Sequence, residues 1–284
     1  GKFLMNGALY RGVKPVMWSP VEKTALAEAE IEYHDHTSTT IYVSFKVKET
    51  KNNKIKDSHI VIWTTTPWTI PGNRAVAYGK NIKYCILSIK KVDDKSIANV
   101  NDQVVIAKEL IDNFLKENKI TDFEVKSELF GSDLTSTILY HPLSDYGYDH
   151  DVPLLEASFV NTDQGTGFVH IAPGHGADDF QLGMLNSLPV LETVEDDGRL
   201  KDNLPLFGGL HVLRDNEEIA ERMSEKGALI GRGNLQHSYP HSWRSKAPLI
   251  FRTTPQWFIS MEKNNLRKIA LKSIDETTFY PPQG

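Results

Sequence analysis

Apolar residues along this chain gather mainly into short runs rich in Val, Ile, Thr and Tyr, several of them bounded by Gly, Asn or Asp, which is the pattern of β-strands. Such runs occupy residues 40–47, 59–63, 84–89, 103–107 and 188–194. Helical spacing is rarer. Residues 108–117 place Leu110, Ile111, Phe114 and Leu115 on one face, and residues 216–226 run to a helix stop at Gly227. A third helix is predicted from about Ala177 to Leu185, with Asp178 and Asp179 in its first turn, where the helix dipole favours negative charge. This is not the regular βαβ rhythm of a dinucleotide-binding sheet, and neither a repeat nor a long linker divides the chain. The pattern predicts one mixed α+β domain over residues 1–284. Its core is a curved, barrel-like sheet over about 37–227 with peripheral helices, and residues 1–36 and 228–284 form extended flanks.

Composition narrows the class. Hydrophobic residues make up 40% of the 284 and charged residues 24%, as in a soluble globular protein, and no run approaches the roughly 20 apolar residues of a membrane helix. The opening residues include no initiator Met and lack the basic, apolar and small-residue order of a secretory signal, so the chain reads as a segment of a longer protein. Cys85, the single cysteine, sits in an apolar stretch and reads as a buried small side chain. These features fit an intracellular, cytoplasmic protein. A net charge of −5 argues against gripping nucleic acid by bulk electrostatics, so any such contact must be local. Residues 227–252 hold Arg232, Arg244, Lys246 and Arg252 with no Asp or Glu, which leaves two readings open: a solvated basic face or an RNA-facing edge.

Two loops carry candidate chemistry. In the first, Trp63-Thr64-Thr65-Thr66-Pro67-Trp68-Thr69-Ile70-Pro71-Gly72-Asn73 leaves an apolar strand, and Pro67 ends its ladder pairing. Several hydroxyls then stand at a strand end, each able to donate once and accept twice, which suits a ribose and a water together. The plain alternative is threonine's β-propensity followed by a proline turn. In the second loop, a short strand carrying His170 enters Pro173-Gly174-His175-Gly176 and then a helix beginning near Ala177, which aims Asp178 or Asp179 back toward the turn. A carboxylate in a partly closed pocket is a natural anchor for an ammonium group. Two alternatives stand beside it: a core histidine with helix-capping acids, and a zinc site of His170, His175 and one Asp. The second lacks cysteine support, and the two histidines, five residues apart across Pro173 and Gly174, cannot share a helix face. No Gly-x-Ser-x-Gly elbow, phosphate loop or dinucleotide fingerprint is present, so a protein nucleophile is not expected.

At these two loops, and over essentially its whole length, the sequence resembles the inserted editing domain of isoleucyl-tRNA synthetases. The stretches YRGVKPVMWSPVEKTALAEAEIEY near the start and HSYPHSWRSKAPLIFRTTPQWF near the end share the resemblance. Valyl and leucyl members have an Arg-Pro pair and an acidic residue after the first threonines, where this chain has Thr66-Pro67-Trp68, so the isoleucyl branch fits better. One departure is Ser242, where many members have cysteine in a His-Cys-Trp-Arg stretch.

The resemblance implies the fold of the valyl, leucyl and isoleucyl editing domains, and a function: hydrolysis of valine wrongly joined to the tRNA for isoleucine, or of valyl-adenylate. It implies catalytic roles for Thr64, Thr65, Thr66, Asn73 and Asp179, and a pocket including Trp68, Thr69, His170, Pro173, Gly174, His175 and Asp178, with Asp179 binding the α-ammonium. No metal or cofactor is expected for editing; ATP and Mg belong to the parent synthetase, whose His-Ile-Gly-His and Lys-Met-Ser-Lys-Ser signatures are absent here. The implied partners are the 3′ acceptor end of the isoleucine tRNA and a valyl-adenosine moiety, with no membrane and a monomeric state. The competing class is a docking module that guides the tRNA end without catalysis; a chelator-sensitive metal hydrolase is a third reading.

Overall fold

The computed structural model describes residues 1–282. Thirteen strands run in chain order: β1 Leu9–Ser19, β2 Thr24–Ala25, β3 Ile31–Glu49, β4 His59–Thr64, β5 Ala75–Tyr78, β6 Lys83–Val92, β7 Gln103–Ala107, β8 Ile120–Phe130, β9 Ile138–Tyr140, β10 Asp151–Glu156, β11 Phe168–Ile171, β12 Leu229–Ser242 and β13 Ile250–Ile259. The α-helices are α1 Lys2–Met5, α2 Ile111–Glu117, α3 Ala177–Leu185, α4 Asn216–Glu225 and α5 Leu266–Asp275. Two compact units emerge: Pro15–Arg252, and a smaller one built from Gly1–Lys14 with the residues from Thr253 onward. In the smaller unit Tyr10 stacks on Phe258, and Ser260 N–H donates to Ala8 O.

The larger unit holds a ten-stranded sheet in the order β11-β5-β10-β9-β3-β4-β7-β6-β8, with β12 paired to β3 off this path. Two pairs, β10 with β5 and β4 with β7, are parallel, and the others in it are antiparallel. The sheet is open: β11 and β8 lie at opposite ends, so the barrel-like closure expected from the sequence is not formed. Charged residues on β8, among them Glu124, Lys126 and Glu128, explain how an edge of eleven residues stays solvated. Ile60, Val61 and Ile62 on β4 are all fully buried, so both faces of the sheet are covered there, and the run is continuously apolar instead of alternating.

The expected core boundaries, 37 and 227, also shift. β12 pairs with β3 from Leu229↔Val43 to Ser242↔Ile31, so residues 31–36 and the segment after Gly227 belong to the same unit as the core. The predicted strand over 188–194 is not one; only Val194 bridges, to Leu200. Pro189 lacks a ladder donor, and Ser187 turns the chain with φ +55°. The helix predicted over 108–117 begins as a 3-10 turn, Lys108–Leu110, before α2. Cys85 is 1% exposed, and burial raises its thiol pKa. All four basic residues of 227–252 are matched by acids: Arg232 by Glu221, Arg244 by Glu30, Lys246 by Glu32 and Arg252 by Asp196. The stretch is therefore neutralised from outside itself, which removes the charge surplus that an RNA-facing edge requires.

Candidate active site

The two chemical loops meet because β11 pairs antiparallel with β5, aligning His170 with Val76, while the chain entering β5 is the end of the threonine loop. Between β4 and β5 the residues Pro67–Gly72 wind into a 3-10 helix whose six residues are all buried. This tight element turns Thr69 and Asn73 toward the His170 ring.

A hydrogen-bond chain follows. Asn73 Nδ2 donates to Ala75 O at 2.8 Å and to His170 Nδ1 at 2.7 Å, which makes Nδ1 an acceptor and puts the ring proton on Nε2. His170 Nε2 then donates to Thr69 Oγ1 at 2.9 Å, and Thr69 donates onward to Thr66 O at 2.8 Å. Thr66 Oγ1 lies 3.3 Å from Thr69 Oγ1 and 3.1 Å from Thr64 Oγ1, which also accepts the Thr66 N–H. Burial drives the His170 pKa down to about 3, so the ring is neutral at neutral pH, as this chain of donors requires. Thr65 is the exception: half-buried, its hydroxyl has no protein partner among the described residues.

Beyond β11 the backbone turns and α3 begins. Asp179, in the first turn of α3, reaches back so that Ala172 N–H donates to its Oδ1 at 2.8 Å. Gly176 makes room for this: a Cβ there would lie 2.4 Å from Asp179 Oδ2. Burial raises the Asp179 pKa to about 6 against the lowering effect of the backbone bonds, and the neighbouring Asp178 adds to the rise. No cation pairs with this carboxylate among the described residues. It is a desolvated negative charge without a counter-ion.

The remaining predicted residues divide. Asp178 is exposed and serves the helix first turn. Trp68, 3% exposed, is packed into the main core, its ring edge-on to His175 at 5.0 Å. Pro173 and Gly174 are buried, and Pro173 packs where a side chain on Gly183 of α3 would otherwise stand. His175 gives both ring nitrogens to protein: Nδ1–H donates to Phe251 O at 3.0 Å, and Nε2 accepts from Thr193 at 2.6 Å. Burial lowers its pKa to about 4. The ring is thus a strut between the α3 turn, Thr193 and β13, with no nitrogen left for a substrate or a metal. Among the described residues no three His, Cys, Asp or Glu side chains converge as a metal site.

Several supporting residues gave little or no sequence signal. Thr193 lay inside a run that reads as strand. Arg74 Nη1 donates to Asn73 O at 2.5 Å and to His150 Nε2 at 2.6 Å, and buried His141 donates from Nε2 to Ile70 O at 3.1 Å. Tyr148 stacks on His141, whose bond to Ile70 O fixes a carbonyl of the 3-10 helix, and the His150 ring lies tilted beside it at 5.0 Å. Only the adjacency of Arg74 to Asn73 hints at this from sequence; His141 and His150 are brought in by tertiary pairing of β9 and β10.

Comparison with known proteins bears on this geometry. The family described as tRNA synthetases class I (I, L, M and V) matches residues 1–284. The chain is 50% identical over 284 residues to an isoleucine–tRNA ligase of Pelagibacter ubique, covering 100% of this chain and 31% of that protein. It is 47% identical over 295 residues to the isoleucine–tRNA ligase of Gluconobacter oxydans, covering 99% and 31%. The chain thus spans about a third of the length of these relatives. Among solved structures, the crystal structure titled GlLeuRS-CP1 matches with a TM-score of 0.54 at 15% identity, over 68% of this chain and 98% of that one. The Plasmodium knowlesi cytosolic leucyl-tRNA synthetase editing domain matches with a TM-score of 0.52 at 10% identity, over 72% and 97%. These two establish a shared fold, that of a synthetase editing domain. With sequence similarity running the length of the chain and the fold in agreement, this chain belongs to the class I tRNA synthetases of the I, L, M and V group.

Proposed function

We propose that the chain is the proofreading module of an isoleucyl-tRNA synthetase, hydrolysing the ester that joins valine to the 3′ end of the isoleucine tRNA. The observation that carries this reading is Asp179: a carboxylate raised to about 6 by burial, with no cation beside it among the described residues. Such a group is stabilised by an incoming ammonium, and an aminoacyl ester supplies one at a fixed distance from its carbonyl. Neither histidine of the site is available as a base. His170 and His175 are neutral and committed to protein partners, so the reaction rests on orientation and polar stabilisation of an ester that is already activated. In this reading Thr65 presents the free hydroxyl toward the ester or its attacking water, while Thr64, Thr66, Thr69 and Asn73 form the rigid frame behind it. No cofactor is needed for the step.

The need for such a module follows from packing. One methylene is worth about 1–3 kcal/mol of selectivity, a value for which isoleucine against valine is itself the standard worked example. A pocket built for isoleucine cannot strongly reject valine on that basis, but a second pocket can reject the larger side chain by overfilling. The test is deacylation of valyl- and isoleucyl-tRNA by this chain. Valyl ester should be cleaved and isoleucyl ester spared; equal cleavage, or none of either, would overturn the proposal.

A further inference from the structure

The two loops of the site meet at one peptide unit, that between Asn73 and Arg74. Its N–H, the Arg74 amide, donates to Ile171 O at 2.8 Å, one residue before the Ala172 N–H that holds Asp179. Its carbonyl, Asn73 O, accepts from Arg74 Nη1 at 2.5 Å, so the side chain folds back over the peptide that precedes it. Both ends of the unit are thus bonded. The Asn73 side chain, fully buried, is less constrained: Nδ2 donates to Ala75 O and His170 Nδ1, while Oδ1 has no partner among the described residues. With its oxygen side unheld, the amide takes its aim from the backbone behind it.

Arg74 is half-buried and forms no ion pair among the described residues. Burial lowers its pKa, and Tyr148 acts the other way. Its partners are two acceptors, Asn73 O and, at 2.6 Å, His150 Nε2, which stand 3.0 Å from each other. A carbonyl oxygen and an imidazole lone pair that close repel unless a donor lies against both, and Nη1 is that donor. The guanidinium also charges its surroundings. Burial first and this charge second hold His150 below the ordinary histidine value, against the Asn73 backbone bond, Asp149, which is exposed, and Asp151, which is paired with Lys48. Burial takes His141 to about 3, and His150, Arg74 and His170 push in the same direction.

We infer that Arg74 is a positioning residue of the ester-cleaving site: its guanidinium, shared between Asn73 O and His150, sets the tilt of the 73–74 peptide and thereby aims the Asn73 amide that fixes the His170 tautomer. The inference rests on the editing reading. Arg74 acts from behind the frame and through Asn73, so its loss misplaces the hydroxyls around the ester and leaves the ammonium anchor at Asp179 in place. Without the guanidinium, His150 Nε2 and Asn73 O face each other as two acceptors. A neutral His150 can turn an N–H on the carbonyl, but only a protonated one restores a charge-assisted bond of the kind Arg74 makes.

The experiment measures kcat and KM for valyl-tRNA, and the nitrogen NMR spectrum of the His170 ring, in the parent, Arg74→Gln and Arg74→Lys, with folding checked by circular dichroism. Arg74→Gln should lower kcat by up to about 100-fold at pH 8, the scale of a roughly 1 Å misplacement, with KM nearly unchanged. As pH falls to 5.5, His150 is relieved of the neighbouring charge, protonates and takes over the bond to Asn73 O. The variant-to-parent ratio of kcat should therefore rise, and the titration of Asp179 cancels in that ratio. His170 should show one Nε2–H form in the parent and a mixture in Arg74→Gln. Arg74→Lys keeps the charge but not the planar fork, so it should lose roughly 3- to 10-fold, with a ratio that does not change with pH. An unchanged kcat in Arg74→Gln, or a loss with a flat ratio and an unaltered His170 spectrum, would overturn the positioning role. Should that variant not fold, a parent-like kcat and His170 spectrum in Arg74→Lys would do the same. Failure of the parent to cleave valyl-tRNA would instead overturn the editing reading, and the His170 spectra would still decide whether Arg74 sets the frame.

Discussion

Replacing Asp179 with Asn separates the anchor role from the fold, because the two respond in opposite directions. The carboxylate titrates near 6 in the folded chain against an ordinary 3.8, with burial as the main cause. A raised acid pKa means the folded state resists ionisation. Its cost is absent below about pH 3.8, grows between 3.8 and 6, and is complete above 6. Two pH units correspond to about 3 kcal/mol. Asn keeps an oxygen for the Ala172 N–H bond but carries no charge. Asp179→Asn should therefore be more stable than the parent by up to about 3 kcal/mol at pH 8, and indistinguishable from it at pH 4. For a domain of 150–250 residues this corresponds to roughly 6–12 °C in Tm.

The same substitution should remove the partner for the substrate ammonium. A charge-assisted bond is worth about 1.5–3 kcal/mol, so kcat/KM for valyl-tRNA should fall roughly 10- to 150-fold. Urea denaturation of parent and variant from pH 4 to 8, with deacylation at pH 7.5, measures both quantities. Taking the difference between the two proteins cancels the buried histidines, which titrate identically in each. A variant less stable than the parent at pH 8, or a stability difference flat between pH 4 and 6.5, would show that Asp179 is not a desolvated carboxylate awaiting a cation. A more stable variant with undiminished deacylation would leave the desolvation intact and remove the anchor.

Four further substitutions and one change of pH probe the frame. Gly176→Ala places a methyl 2.4 Å from Asp179 Oδ2 at an extended backbone position free of left-handed strain, so deacylation should fall while circular dichroism stays unchanged. Thr65→Val should slow hydrolysis with stability held within about 0.5 kcal/mol, whereas Thr69→Val, which strips the hub between His170 and Thr66, should cost about 1–3 kcal/mol in urea unfolding. Thr193→Val leaves His175 Nε2 buried without its donor and should destabilise by a similar amount, visible as a lower urea midpoint at unchanged m-value. Burial holds His141 and His170 near 3 and His175 near 4, so stability should drain as pH falls below the ordinary histidine value of 6.5. At pH 5 that is about 2 kcal/mol for each and about 6 together, measured as acid unfolding well above pH 3.

What the sequence disclosed follows from how locally each feature is determined. α3 and α4 begin as predicted and end within a residue of prediction, because Asp178 and Asp179 lie in the first turn of α3 and Gly227, at φ +71°, lies just past α4. β7 spans the expected 103–107, a run of apolar residues buried on both faces. The first nine residues of β3 lie outside the predicted strand run: His34, Asp35 and His36 fall in the flank before residue 37, and they become strand because β12 supplies the ladder. Nothing local could announce that partner. The open edge of the sheet was also illegible, since closure depends on whether β8 and β11 meet. At the site, residue types pointed to the right loops but not to their division of labour. Five hydroxyl, amide and imidazole side chains, expected to divide between catalysis and pocket, form a single hydrogen-bonded frame, and His175 is a strut whose two partners, Thr193 and Phe251, lie 18 and 76 residues away.

That division explains why so many polar groups can stand in so dry a place. A buried polar network is tolerable when its members largely satisfy one another, and the frame does so by alternating roles, amide to imidazole, imidazole to hydroxyl, hydroxyl to carbonyl, leaving Asn73 Oδ1 as its one buried acceptor without a partner among the described residues. The alternation demands a neutral His170, and the burial that satisfies this demand is of the same kind that raises Asp179. A protonated His170 would donate from both nitrogens, collide with the Asn73 amide and loosen Thr69 and Thr66. Desolvation on the two sides of Ala172 thus has opposite chemical effects on two residues nine apart: it keeps the imidazole uncharged and rigid, and it leaves the carboxylate short of a positive charge. Above about pH 6 both conditions hold at once, and an ammonium beside Asp179 is then the missing counter-charge of the site.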